Sequence, residues 1–321
     1  MGIIHNPVLP GFHPDPSILY HDGWFYIANS TFEWFGGVQI SRSKDLAVWE
    51  PVGQALTRKS QLDMRGNPES GGIWAPCLSW ARGKFYLIFT DVKTWADEPF
   101  KDTHNYLVTA TAIEGPWSES VYLNSSGFDP SLFHDEDGRT WFVNMEWDYR
   151  KPGVKKFSGI LLQEFDEATL SLKGPIQKIF EGSSIGITEG PHLYKVEGHY
   201  YLVTAEGGTE YGHAVSVARS KKIGGPYELH PENPLCSSRS DASMYLQKQA
   251  TVPGARGGRG FGSSLSWSAG HSPILGAAFW KRDCPCTAYL EGWLALSRGW
   301  RKQASFKLFC SLGNRRKSKR K

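Results

Sequence analysis

The stretch Asn6-Pro7-Val8-Leu9-Pro10-Gly11-Phe12-His13-Pro14-Asp15-Pro16-Ser17-Ile18-Leu19-Tyr20 holds a carboxylate between two prolines. Both rings fix φ and remove backbone donors, so Asp15 cannot lie inside a helix. It is expected at the mouth of a strand over Ile18-Leu19-Tyr20. His21-Asp22-Gly23 then reads as a turn, and Trp24-Phe25-Tyr26-Ile27 as the returning strand.

The same pattern recurs along the chain. Trp74-Ala75-Pro76-Cys77-Leu78 leads through Arg82-Gly83 to Lys84-Phe85-Tyr86-Leu87-Ile88-Phe89. Asp129-Pro130-Ser131-Leu132-Phe133 leads through Glu136-Asp137-Gly138 to Thr140-Trp141-Phe142-Val143. Glu189-Gly190-Pro191-His192-Leu193-Tyr194 leads through Glu197-Gly198 to His199-Tyr200-Tyr201-Leu202-Val203. Third strands are read at Val38-Gln39-Ile40-Ser41, Tyr106-Leu107-Val108-Thr109, Ile160-Leu161-Leu162-Gln163 and Ala214-Val215-Ser216-Val217. Three units close near Trp49, Gly115-Pro116-Trp117 and Gly225-Pro226-Tyr227, read as fourth strands or their turns.

The units start roughly every 55 to 60 residues, close to the ~50 of kelch-like blades. Four antiparallel strands per unit, set radially, make an all-β propeller. The innermost strand of each blade lines the channel, and the residues opening those strands are Asp15, Trp74, Asp129 and Glu189. Three acids and one aromatic are thus expected to meet at one end of one axis. Taken singly, each acid beside a proline is also an ordinary turn residue. Three at matching places in a repeat point to a site.

Composition narrows the function. The 321 residues, 40% hydrophobic, are enough to bury a large core. Aromatics make up 13%, with 13 Trp, which suits stacking on sugar rings and equally suits propeller core. Formal charge is +4, and a basic run closes the chain at Arg315-Arg316-Lys317-Ser318-Lys319-Arg320-Lys321. No basic stripe interleaved with aromatics precedes it, which argues against nucleic acid. Cys77, Cys236, Cys284, Cys286 and Cys310 have neither zinc spacing nor the count of a disulfide framework. No signal-peptide pattern or membrane-spanning run is read, so a soluble, cytoplasmic protein is expected.

Two carboxylates across a small cavity suit glycoside hydrolysis, one activating water and the other, protonated, giving its proton to the leaving oxygen. A third acid nearby raises the pKa of the general acid and keeps it protonated. Calcium also takes clustered oxygens, but Asp135-Glu136-Asp137-Gly138 reads as a hairpin turn rather than an EF-hand loop. A structural calcium in the channel therefore lacks support, and no cofactor is called for by the chemistry.

His13-Pro14-Asp15-Pro16-Ser17, Gly72-Ile73-Trp74-Ala75-Pro76, Phe128-Asp129-Pro130-Ser131-Leu132-Phe133 and Thr188-Glu189-Gly190-Pro191-His192-Leu193 together resemble glycoside hydrolase family 43. They are most similar to its β-xylosidases acting on xylo-oligosaccharides, often with α-L-arabinofuranosidase side activity. The resemblance runs from about Asn6 to about Lys248. It implies a five-bladed propeller and an inverting, exo-acting mechanism, with carboxyls ~6.5–9.5 Å apart rather than the ~5–5.5 Å of a retaining pair. It implies Asp15 as general base, Glu189 as general acid and Asp129 as the residue that tunes and orients the acid. Trp74, Phe32 and Trp147 match aromatic positions that wall the xylose subsite, and His213 matches a channel position that a structural histidine would fill equally well.

By the same period a fifth unit should begin near residue ~248. The family would continue with an Ala-Gly-His turn, a strand and a substrate-reaching Gly-Arg-Pro arginine. This chain instead reads Gln249-Ala250-Thr251-Val252-Pro253-Gly254-Ala255-Arg256-Gly257-Gly258-Arg259-Gly260. Arg256, Arg259, Arg282 and Arg298 lack the motif that would identify that arginine. Residues 1–248 are read as the catalytic propeller with four recognisable blades. Residues 249–321 are read as a Gly/Arg/Ser-rich segment, either frame-shifted or a natural flexible extension, that leaves the fifth blade incomplete. The expected function is an inverting β-1,4-xylosidase acting on xylo-oligosaccharides. The alternatives are an arabinan-directed hydrolase and a non-catalytic carbohydrate-binding propeller.

Overall fold

The computed structural model describes residues 8–94, 100–153, 156–209 and 213–237. They form four antiparallel sheets, each a meander in chain order. The first holds β1 (Ser17–His21), β2 (Trp24–Asn29), β3 (Gly37–Ser43) and β4 (Glu50–Leu56). The second holds β5 (Gly72–Ala81), β6 (Lys84–Val92), β7 (Thr103–Ala110) and β8 (Val121–Asn124). The third holds β9 (Ser131–His134), β10 (Thr140–Trp147), β11 (Phe157–Asp166) and β12 (Ser171–Phe180). In the fourth, β13 (Glu189–Val196), β14 (His199–Glu206) and β15 (Ala214–Ser220) are followed by two short strands, β16 (Glu228–Leu229) and β17 (Cys236–Ser237), both paired with β15.

Local chemistry explains the repeated unit. The turns Asp22-Gly23, Arg82-Gly83 and Glu197-Gly198 each join two strands through two residues of positive φ, the geometry that matches strand twist in a tight hairpin. In the third sheet the turn is longer and closes with the Asp135 N–H donating to the Arg139 carbonyl at 2.8 Å. The first strands β1, β5, β9 and β13 pack side by side in that order, so the sheets are blades of a propeller.

Adjacent blades share cores, so a middle strand is buried on both faces. Along β6, Phe85, Leu87 and Phe89 pack with Leu19, Tyr26 and Ile40 of the first blade. Tyr86 and Ile88 point the other way, toward Leu132, Phe142 and Phe165 of the third. Period-two alternation between two cores is why residues 85–89 read as a continuous apolar run. No helix among the described residues is long and apolar enough to cross a membrane. The expected fifth blade and the segment 249–321 lie outside the described residues.

The repeat register differs from the sequence reading by one residue. Trp74 pairs with Thr90 and Glu189 with Ala205, and each ladder then slips before Cys77 and His192 respectively. The Ser30 N–H donates to the Pro14 carbonyl, and the Met145 N–H to the Phe128 carbonyl, at the same place in their own blades. Trp74 and Glu189 are therefore equivalent to Pro14 and Phe128. Asp15 and Asp129 are equivalent to Ala75 and Gly190. All four of the latter precede a proline and have positive φ, at 48°, 56°, 40° and 55° respectively. Each inner strand thus carries a bulge in which an X-Pro pair opposes one residue of the next strand, a device that re-aims side chains beside sites.

Candidate active site

The bulges set where the acids point. A non-glycine residue with positive φ costs on the order of 1–3 kcal/mol and persists when its surroundings over-determine it. Aspartate tolerates this conformation better than most residues. Ser17 and Ser131, two residues after Asp15 and Asp129, supply part of the restraint. The Leu78 N–H donates to Ser17 Oγ at 3.0 Å, and Ser131 Oγ donates to the Pro191 carbonyl at 2.6 Å. Each Asp-Pro-Ser therefore aims a carboxylate and ties its strand to the next blade.

Asp15, Asp129 and Glu189 are buried, with 3%, 4% and 4% of their surface exposed. Ser30 Oγ donates to Asp15 Oδ2 at 2.6 Å, and accepts the Ala75 N–H at 2.8 Å. Asp129 Oδ2 accepts the Gly190 N–H at 2.9 Å, one peptide from Glu189. Burial raises the Asp129 pKa well above the ordinary carboxylate range, the charge of Asp15 raises it further, and the Gly190 N–H opposes both. Of the three acids named from the sequence, Asp129 is thus bonded to the peptide that follows Glu189 and lies within electrostatic reach of Asp15. A buried carboxyl whose pKa is raised in this way is able to hold a proton near neutral pH beside two further acids.

The three expected aromatics join one chain of ring contacts. Phe32 lies 6.3 Å from Trp74, Trp74 meets Phe128 edge-on at 5.6 Å, and Phe128 lies 6.1 Å from Trp147. Phe32 is fixed by reciprocal backbone bonds with Ile73, both 3.0 Å, and the Trp74 indole donates to the Ser70 carbonyl at 2.8 Å. Phe12 extends the row to the exposed Trp34. His213 is buried and its Nδ1 donates to the Gly208 carbonyl at 2.6 Å, with burial lowering its pKa.

Sequence reasoning missed Ser30, Lys101 and Glu206. Lys101 Nζ sits 4.7 Å from the Trp147 ring centroid and 6.0 Å from that of Trp74. Ser30 directly follows β2 with no motif around it. Glu206 precedes Gly207-Gly208 at a strand end, a weak signal that a close approach follows. Among the described residues no three His, Cys, Asp or Glu side chains are grouped to hold a metal ion.

Four-stranded blades with an acid trio at the ends of their inner strands define a class: β-propellers that place carboxyl chemistry where the blades meet. The chain belongs to the glycosyl hydrolases family 43, whose family model matches residues 4–258. It is 59% identical over 245 residues to a xylosidase/arabinosidase 43B of Humicola insolens, covering 76% of this chain and 45% of that protein. It is 56% identical over 245 residues to a β-xylosidase of Bacillus subtilis, covering 76% of this chain and 46% of that one. Among solved structures it matches a xylan β-1,4-xylosidase of Bacillus halodurans with a TM-score of 0.72 and 63% identity, over 74% of this chain and 45% of the other. The chain therefore spans less than half the length of these relatives.

Proposed function

We propose that this chain carries the catalytic propeller of an inverting, exo-acting β-1,4-xylosidase that releases xylose from xylo-oligosaccharides. The observation that carries the reading is the linked trio: Asp129 bonded to the peptide that follows Glu189, and interacting electrostatically with Asp15. In this reading Asp15 accepts a proton from water as the water oxygen bonds to the anomeric carbon. The bond from that carbon to the leaving oxygen breaks, and Glu189 gives the leaving oxygen its proton. Ser30 holds the Asp15 carboxylate in place through its 2.6 Å hydrogen bond. Asp129 orients the strand entrance that bears Glu189. Trp74, Phe32 and Trp147 offer ring faces to a pyranose. Activity toward α-L-arabinofuranosides is the second reading, favoured by the name of the Humicola relative.

The test is hydrolysis of p-nitrophenyl β-D-xyloside beside the α-L-arabinofuranoside, with Asp15→Ala and Glu189→Ala as controls. Each variant should lose about 10²–10⁴-fold in turnover, the usual contribution of general acid–base catalysis. Proton NMR of the first product should show α-xylose, the inverted anomer. Near-normal turnover in either variant overturns the roles. Sugar binding without turnover by folded protein would identify a carbohydrate-binding propeller instead.

A further inference from the structure

Glu206 closes β14 with none of its surface exposed. Its Oε1 accepts the Ser183 N–H at 2.7 Å and the Thr188 hydroxyl at 2.9 Å. Its Oε2 accepts the Ser216 hydroxyl at 2.6 Å and the Ser183 hydroxyl. Ser183 and Thr188 bracket the loop that runs into Glu189. The Gly207 N–H donates to the Gly186 carbonyl at 2.8 Å and holds the same loop from the next residue. The loop folds tightly on itself: a Cβ on Gly182, whose φ is +100°, would stand 2.1 Å from Thr188 Oγ1.

The second blade repeats the arrangement. Ile73 pairs with Asp91 one place before Trp74, as Thr188, one place before Glu189, donates its hydroxyl to Glu206. Asp91 Oδ1 accepts Asn67 Nδ2 at 2.8 Å, so this acid fastens the loop whose Ser70 carbonyl receives the Trp74 indole. The same strand position in two blades thus holds the loop that delivers a site residue.

We infer that Glu206 is a positioning residue for Glu189, fastening the 181–188 loop so that the carboxyl of Glu189 is held at the leaving oxygen. This rests on the reading of Glu189 as general acid. The hydrogen-bond chemistry distinguishes two substitutions. In Glu206→Gln the remaining oxygen accepts the Ser183 N–H, and the new amide donates to the Ser183 and Ser216 hydroxyls, which rotate to accept. In Glu206→Ala the Ser183 N–H and three hydroxyls lose their acceptor.

The experiment measures kcat and KM of the full chain on xylobiose and on 2,4-dinitrophenyl β-D-xyloside, whose leaving group needs no proton. Glu206→Ala should lose about tenfold to hundredfold in kcat on xylobiose, the scale of a misplaced catalytic group. It should lose little on the dinitrophenyl substrate and little in KM, while Glu206→Gln retains most activity on both. Thr188→Val, a smaller lesion, should show the same leaving-group dependence more weakly. Equal losses on both substrates from folded Glu206→Ala, or none, overturn the inference, as does Glu206→Gln falling as far as Glu206→Ala. Hydrogen exchange over 181–190 separates this from failure of the general-acid reading. Protection lost in Glu206→Ala and kept in Glu206→Gln supports the fastening even if Glu189→Ala shows no leaving-group dependence, and unchanged protection overturns it.

Discussion

At the scale of single residues, Asp129 sets a measurable pH response. Its native pKa is raised by burial and then by Asp15. A carboxyl raised above its unfolded value of ~3.9 leaves the native state binding more protons than the unfolded one, so its effect on stability worsens as pH climbs toward the native value. Asp129→Asn removes that penalty while its amide oxygen keeps an acceptor for the Gly190 N–H. The variant should melt higher than the parent near pH ~8, with the gain shrinking toward pH ~4. A pH-independent difference in Tm would contradict the electrostatic assignment, and activity should fall throughout. Asp15, Asp129 and Glu189 were legible in the sequence because prolines mark the bulges beside them. Ser30 and Glu206 were not: their partners lie 15 to 45 residues away for Ser30 and 10 to 23 for Glu206, across strands and loops that no spacing rule connects.

At the scale of elements, inner strands and hairpin turns were readable, whereas the third blade's outer strand was not. Ser171–Phe180 carries Lys173, Gly174, Pro175, Gln177 and Lys178 and is mostly exposed. Edge strands are blunted by such residues, so the pattern that protects β12 from pairing also hides it from period-two reading. The one-residue register error had a similar origin. A bulge adds a residue to one strand, and the proline that marks the bulge, not the acid beside it, keeps the repeat in register.

Between the second and third blades, Glu167 accepts hydrogen bonds from Arg82, Thr140 and Tyr86, and contacts His134. Burial alone would raise its pKa, but the hydrogen bonds from His134, Thr140 and Arg82 carry it down to about 2. A carboxyl lowered from an unfolded value of ~4.3 contributes stability above that value and loses it as pH falls toward the native one. Acid titration of the parent should therefore show a loss of stability between pH ~4 and pH ~2 that Glu167→Gln lacks. Identical acid limbs in the two proteins would remove Glu167 from the account.

At the scale of the whole molecule, four blades and their shared cores hold the acid trio, and the relatives extend well beyond this chain. Their identity runs over 245 residues, while the sequence after Lys248 turns to Gly and Arg. For residues 249–321 we propose a displaced reading frame close to Lys248. The source DNA, read in a neighbouring frame beyond that codon, should then spell an Ala-Gly-His turn followed by an alternating strand. An uninterrupted frame at the locus would instead make the segment a natural extension.

The proline-marked bulge recurs in each of the four described blades, yet it carries Asp, Ala, Asp and Gly in turn. Stability comes from faces buried between blades, while the bulge residue falls outside the paired register of its strand. Chemistry and architecture are thereby uncoupled: each blade offers a socket whose occupant can change while the sheet behind it stays the same. A lineage built by duplicating such a unit inherits several interchangeable sockets at once. Ala75 is one such socket, filled here by a buried methyl group beside Trp74.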